Sequence, residues 1–215
     1  MMHAAKIEAA FEAPSRPPTR RALAKQQTRL KVLAAARRLF SEQGYEGATI
    51  RDIAAAAGMS TGAVFANFTD KSDLFREIMV TDMAALADAM RDAAGGGGGV
   101  EDALARMFAA GYAFYRSQLP LARAAFSVAW SNEDGPSLRA APPVQVLRGL
   151  IVDQLNRAVE RGELRNDDLP LRAEMLFEAY LSNYPQAIFE GWTVEGLQDR
   201  ARAQIRILLA GARAT

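Results

Sequence analysis

The chain has no cysteine and a single histidine, His3, in 215 residues. Without thiols there are no disulfides, no thiolate nucleophile and no sulfur-ligated zinc. With its only imidazole in a terminal stretch, neither a histidine metal site nor Ser-His-Asp chemistry has a foundation. No catalytic residue, metal ligand or cofactor is expected, and an enzyme is the weakest reading. Long apolar runs are also lacking: no stretch approaches the roughly 20 residues of a membrane-spanning helix. Met1 to Pro18 lacks the compact apolar segment of a signal peptide, so the expectation is a cytoplasmic protein without a membrane partner. Alternating strand patterns are missing too, which points to an all-α fold.

What is present divides unevenly. The formal net charge is +1, yet residues through Lys71 hold 11 Lys/Arg against 6 Asp/Glu, and the remainder 15 against 19. From Arg16 to Arg38 run Arg16, Arg20, Arg21, Lys25, Arg29, Lys31, Arg37 and Arg38 with no acidic residue between them. Such a block suits a phosphate backbone; a solvated helix face beside a tail is the plainer alternative.

Residues 1–18 mix Ala, Glu, Pro and Arg, and Pro14, Pro17 and Pro18 interrupt any helix, so a flexible arm is expected. From about Thr19 a helical pattern begins, with Val32, Ala35, Ala36, Leu39 and Phe40 on one face and Gly44 as its end. A connecting helix is expected over about residues 70–94. The glycine run Gly95–Gly99 then makes a loop, expected to be mobile. Further helices are expected over Glu101–Gln118, Leu121–Trp130, Pro143–Arg161, Leu169–Phe189 and Val194–Leu209, with Pro185 kinking or ending the fourth of these.

Thr49-Ile50-Arg51-Asp52 reads as a capping box that starts a helix at Ile50. Ile50, Ile53, Ala54 and Ala57 form its apolar face, and Gly58 turns the chain. Ser60 caps a second helix, on which Val64 and Phe68 face inward while Thr61, Gly62, Phe65 and Asn67 lie outward or toward its start. Small Ala54 permits close approach of the two helices, and the whole is a helix-turn-helix. Its second helix would enter a major groove.

These residues, Thr49 through Leu74, resemble the tetracycline-repressor (TetR) family of bacterial regulators, with the specific likeness running from about Gln27 to Phe75. The resemblance implies an all-α protein of three parts: an arm over 1–18, a three-helix DNA-binding domain over 19–75 and a larger helical ligand-binding and dimerisation domain over 76–215. It also implies double-stranded operator DNA, a small effector and a second copy of the chain as partners. Position by position, Thr49 and Lys71 would contact phosphate, and Arg51, Thr61, Gly62, Ala63 and Asn67 would approach base edges, with Ser60 at the cap. Phe65 stands where the family usually has tyrosine, so a phenolic hydrogen bond is excluded there.

In the remainder, Met83, Met90, Phe108, Tyr112, Tyr115, Phe126, Trp130, Phe177 and Tyr180 are candidate ligand contacts, though for any single one plain core or dimer interface is the more ordinary role. Tyr184 and Trp192 are expected on the same inward stripes. Tyr112, Tyr115, Gln118 and Asn132 are candidate polar anchors for an effector expected to be largely apolar. Leu197, Ile205, Leu208 and Leu209 are expected to supply a two-fold helical bundle. A repressor of an inverted-repeat operator is the leading reading; an activator of the same fold and a sequence-tolerant architectural DNA-binding protein stay open.

Overall fold

The computed structural model describes residues 19–116, 118–124 and 142–213. Residues 1–18, Phe126, Trp130, Asn132 and most of the helix expected over Leu121–Trp130 lie outside the described residues. Among those described the chain is all-α, with only an isolated bridge between Leu164 and Arg213. No helix of the described residues is long and apolar enough to cross a membrane.

The helices follow the sequence signals closely. Thr19 caps α1 (Arg20–Gly47), its hydroxyl accepting from the Ala22 N–H at 3.2 Å. Gly44 leaves helical geometry as expected, but a further turn carries the helix on to Gly47. Next come α2 (Ile50–Ala56), α3 (Thr61–Phe65) and α4 (Lys71–Ala94). Asp70 accepts from the Asp73 N–H at 2.8 Å while Asp73 accepts from the Thr69 N–H at 3.1 Å, so each carboxylate satisfies a free donor at the start of α4.

The second half comprises α5 (Val100–Arg116), α6 (119–124), α7 (Pro142–Glu160), α8 (Leu169–Ser182), α9 (Tyr184–Phe189) and α10 (Val194–Ala210). The single helix expected over Leu169–Phe189 is two: Asn183 separates α8 from α9, and Pro185 sits in the first turn of α9, where its missing N–H is not needed.

The glycine run is held more firmly than its composition suggests. Arg106 reaches from α5 to donate to the carbonyls of Ala93 (3.1 Å), Gly96 (2.9 Å) and Gly97 (2.9 Å). Its charge lies at the carbonyl end of α4, where the helix dipole favours a cation. On the other side Glu163 accepts from the Val100 N–H at 2.7 Å, capping α5.

Two apolar cores result. The first gathers Val32, Ala36 and Phe40 of α1, Ile53 of α2, Val64 of α3 and Leu74, Phe75 and Ile78 of α4. Phe40, Tyr45 and Phe75 meet ring to ring there, at centroid distances of 5.0 to 5.6 Å. The second packs α4, α5, α7, α8, α9 and α10 around Leu104, Met107, Ile151, Leu176 and Phe177. Leu121 and Ala124 of α6 belong to the first core although they follow α5 in sequence, so α6 ties the second half to the first.

Candidate nucleic-acid interface

The helix-turn-helix is built from local signals. The Thr49 hydroxyl accepts from the Asp52 N–H at 3.2 Å, starting α2. Asp52 does not complete a reciprocal box through the Thr49 backbone; its carboxylate accepts a hydrogen bond from the Thr49 hydroxyl at 2.6 Å. Gly58 has φ +70, a conformation costly for any residue with a Cβ, and the Met59 N–H closes the turn on the Ala54 carbonyl at 2.9 Å. Ser60 then caps α3 through the Ala63 N–H at 3.2 Å. Val64 and Phe68 are buried beneath, which leaves Thr61, Gly62 and Phe65 outward. Phe65 is 55% exposed, a large ring held in solvent by a helix whose other face is committed to core.

The remaining expected contact residues divide by what already holds them. Arg51 is exposed and makes no hydrogen bond or ion pair among the described residues. Ala63 is half-buried. Asn67 turns back on its own helix, its amide donating to the Ala63 carbonyl at 2.9 Å and its side-chain oxygen buried without a partner. Lys71, whose charge opposes the dipole of α4, is stabilised from within the chain. Its ammonium donates to the Tyr45 carbonyl at 2.8 Å, lies 4.3 Å from the Tyr45 ring centroid and is 3.8 Å from Glu46. It joins the end of α1 to the start of α4.

The basic block is likewise not a uniform phosphate surface. Arg20, Arg21, Lys25, Lys31 and Arg38 are exposed, and Arg16 lies outside the described residues. Arg29 is committed inside the chain: it pairs with Glu77, donates to the Asn67 carbonyl at 2.6 Å and sits 4.3 Å from the Phe68 ring centroid. That single side chain locks the end of α3 to α1 and α4. Arg37 is committed too, pairing with buried Asp82 of α4 and donating to the Gln118 side chain at 2.8 Å. Gln118, expected as a ligand anchor, therefore serves a strut between α1, α4 and the start of α6. Sequence reasoning missed the internal role of both arginines because their partners lie 38 to 81 residues away.

In the second core, Phe108, Tyr112 and Tyr180 come together, at centroid distances of 4.9 and 5.1 Å. Tyr115 joins them through Tyr184 at 5.0 Å, and its hydroxyl donates to the Met83 sulfur at 3.6 Å. Met90 and Phe177 are buried in the same core, Phe177 with the Arg148 guanidinium 5.1 Å from its centroid. Two residues outside the expected ligand set complete the cluster, Asn183 and Gln204. The Asn183 amide donates to the Tyr112 hydroxyl at 2.9 Å and to the Gln204 oxygen at 2.8 Å. A polar residue just before Tyr184-Pro185, at the break of an apolar helix, was the available signal. Burial pushes the hydroxyls of Tyr112, Tyr115, Tyr180 and Tyr184 above the ordinary range, so the cluster is neutral.

Two expectations on the outer helices are corrected. Trp192 is turned outward, stacked under Arg200 at 5.6 Å, because Gly191 at φ +69 redirects the chain before α10. Leu197, Ile205 and Leu209 are buried within the chain itself and are not available to a second copy. Among the apolar residues that are exposed in this half are Leu171 and Met175 of α8, Phe189 of α9 and Ile207 of α10.

Comparison with known proteins agrees with this geometry. Residues 32–78 match the family model described as bacterial regulatory proteins, tetR family. The chain is similar to the transcriptional repressor AcnR of Corynebacterium glutamicum, 28% identical over 180 residues that cover 80% of this chain and 87% of that protein. It is 51% identical to the transcriptional regulator AcrR of Shigella flexneri over 53 residues, 25% of each chain. In fold it matches the transcriptional regulator FadR of Bacillus subtilis in complex with stearoyl-CoA, with TM-score 0.70 and 17% identity over 85% of this chain and 98% of that one.

Proposed function

We propose that this chain, whose residues 32–78 match the tetR family of bacterial regulatory proteins, is a DNA-binding transcriptional regulator of that family, a repressor of an inverted-repeat operator released by a small effector. The observation that carries this reading is the pairing of a rigid turn at Gly58 with an exposed α3 face of Thr61, Gly62 and Phe65, beside unpaired Arg51. Residues 19–75 act as the reading unit and 76–215 as the sensing and dimerising unit. Phe65 offers an apolar ring to a thymine methyl, Arg51 a guanidinium to a base edge or phosphate, and the exposed Arg20, Arg21 and Lys25 a positive approach to the backbone.

Two copies joined through Leu171, Met175 and Ile207 place two α3 helices in successive major grooves, about 34 Å apart. The effector enters the second core among Phe108, Tyr112, Tyr115 and Tyr180. The Arg37–Asp82–Gln118 strut carries its effect, since Met83, which receives the Tyr115 hydroxyl, adjoins Asp82. An effector that favours one separation of the α3 helices over another shifts the population between DNA-competent and released forms. That FadR is seen with stearoyl-CoA supports a ligand site in this fold without identifying the ligand here.

The test is selection from a library of genomic fragments at physiological salt. One inverted repeat is expected, and Arg51→Ala or Phe65→Ala should weaken binding to it by roughly 5-fold to 100-fold. Recovery of unrelated sequences with equal efficiency would replace the repressor reading with the architectural one.

A further inference from the structure

The polar groups around the tyrosine cluster are out of balance at Asn183. Asn183 is 0% exposed. Both hydrogens of its amide are placed, on the Tyr112 hydroxyl and on the Gln204 oxygen, while its Oδ1 has no donor. Rotating the Asn183 amide by itself does not cure this. Oδ1 would then face the Gln204 oxygen, an acceptor, and Tyr112, whose proton is directed at the Tyr180 carbonyl at 3.3 Å, and the displaced N–H groups would lose both acceptors.

A buried amide oxygen without a donor is rare in folded proteins and calls for a reason. Around it stand ring faces and neutral hydroxyls. Tyr112 stacks on Tyr180 at an interplanar angle of 27°, and Tyr184 meets Tyr112 at 67° and Tyr115 at 83°. Tyr180 and Tyr184 satisfy each other, hydroxyl to hydroxyl. Among the described residues no hydrogen bond joins a charged side chain to this set; the field of Arg200 reaches Tyr112, and Asp82, whose field reaches Tyr115, is already held by Arg37. The break between α8 and α9 is what turns Asn183 inward, so the unpaired oxygen is fixed by the backbone path.

Resting on the reading that this core receives the effector, we propose that the effector is a neutral ring compound bearing a hydroxyl or amide N–H, and that Asn183 Oδ1 receives that donor. The ring packs on the tyrosine faces by separating rings now in contact, and the donor fills the vacancy at Asn183 Oδ1. A carboxylate or phosphate is disfavoured at this position, because Oδ1 repels it. A purely apolar ligand leaves the oxygen as it is.

Phenol, toluene and benzoate, nearly equal in shape, separate these cases. Each is titrated into the full-length protein while the side-chain amide signal of Asn183 is followed by NMR. Phenol is expected to shift that signal with a Kd about 10-fold or more below that of toluene, and benzoate to leave it unchanged. Toluene matching phenol would overturn the donor requirement while leaving the core as the effector site. None of the three moving the signal would overturn both, and a benzoate response would overturn the neutral class. In Asn183→Leu, with folding checked by thermal unfolding, phenol should bind no better than toluene. A retained preference would remove Asn183 as the receiver; should that variant fail to fold, the three titrations of the unaltered protein decide.

Discussion

The two cores differ in how they treat polarity. In the first, helix caps and ion pairs ring an apolar interior of Val32, Phe40, Ile53, Val64 and Leu74, with the Tyr45 ring packed against it and a buried, unpaired Asn67 oxygen nearby. In the second, four tyrosines, Asn183 and Gln204 meet in the middle and satisfy one another, except at one oxygen. A purely apolar interior has one good packing and resists deformation. A polar cluster closed on itself can exchange partners, which suits the part of a regulator that must accept a ligand. The reader is rigid because its geometry is the message, and the sensor keeps its hydrogen bonds rearrangeable.

That contrast can be broken at several points. The largest effect is expected at Phe40→Ala, which empties the middle of the first core and should cost about 3–5 kcal/mol in denaturant unfolding. Tyr184→Phe in the second core removes one hydroxyl from a paired set and should cost about 1 kcal/mol. Comparable losses at the two positions would erase the distinction. Next comes the strut: Arg37→Met leaves the Asp82 carboxylate buried and alone, at a cost of about 2–4 kcal/mol once the partial exposure of Arg37 is discounted. Arg37→Met combined with Asp82→Leu should recover most of that stability, and a double-mutant cycle measures the coupling. If the strut transmits the effector signal, the double variant stays folded and binds operator but responds less to ligand.

Gly111→Ala should be smaller, about 1–3 kcal/mol, because a Cβ there would overlap the Tyr180 hydroxyl and force the ring aside. The smallest effect is a pH dependence. The buried tyrosines hold their protons in the folded state above the ordinary value of 10.0. Their contribution is therefore complete below about pH 10 and is lost as pH rises toward the folded values. A spectrophotometric titration should show these four ionising only as the chain unfolds; tyrosinate absorbance from several of them in a native protein near pH 10 would show the cluster to be open.

Legibility followed range. The caps at Thr49, Ser60 and Asp70 and the turn at Gly58 depend on residues within four positions, and all could be read from the sequence. So could the buried face of α1. The side chains that lock the reader in place could not, because Arg29 with Glu77 and Arg37 with Asp82 are brought together only by the fold. A basic run read as a phosphate surface therefore turned out to supply two internal struts. Lys71 is a related case: its charge is explained by a carbonyl at the end of α1, 26 residues before it. On α10, apolar periodicity identified a buried face, but nothing local distinguished the core of one chain from contact with another. Asn183 was hidden because the proline signalled a kink at Pro185 but not which neighbouring side chain the break would turn inward.

The most direct measurement compares binding of the purified protein to the selected inverted repeat and to a scrambled duplex at one physiological salt concentration, with Phe65→Ala and Arg51→Ala alongside. A preference of roughly 1,000-fold or more for the repeat, reduced in both variants while their thermal unfolding is unchanged, is the expected result. Equal binding to the two duplexes, or a preference untouched by either substitution, would contradict reading by α3 and its neighbours.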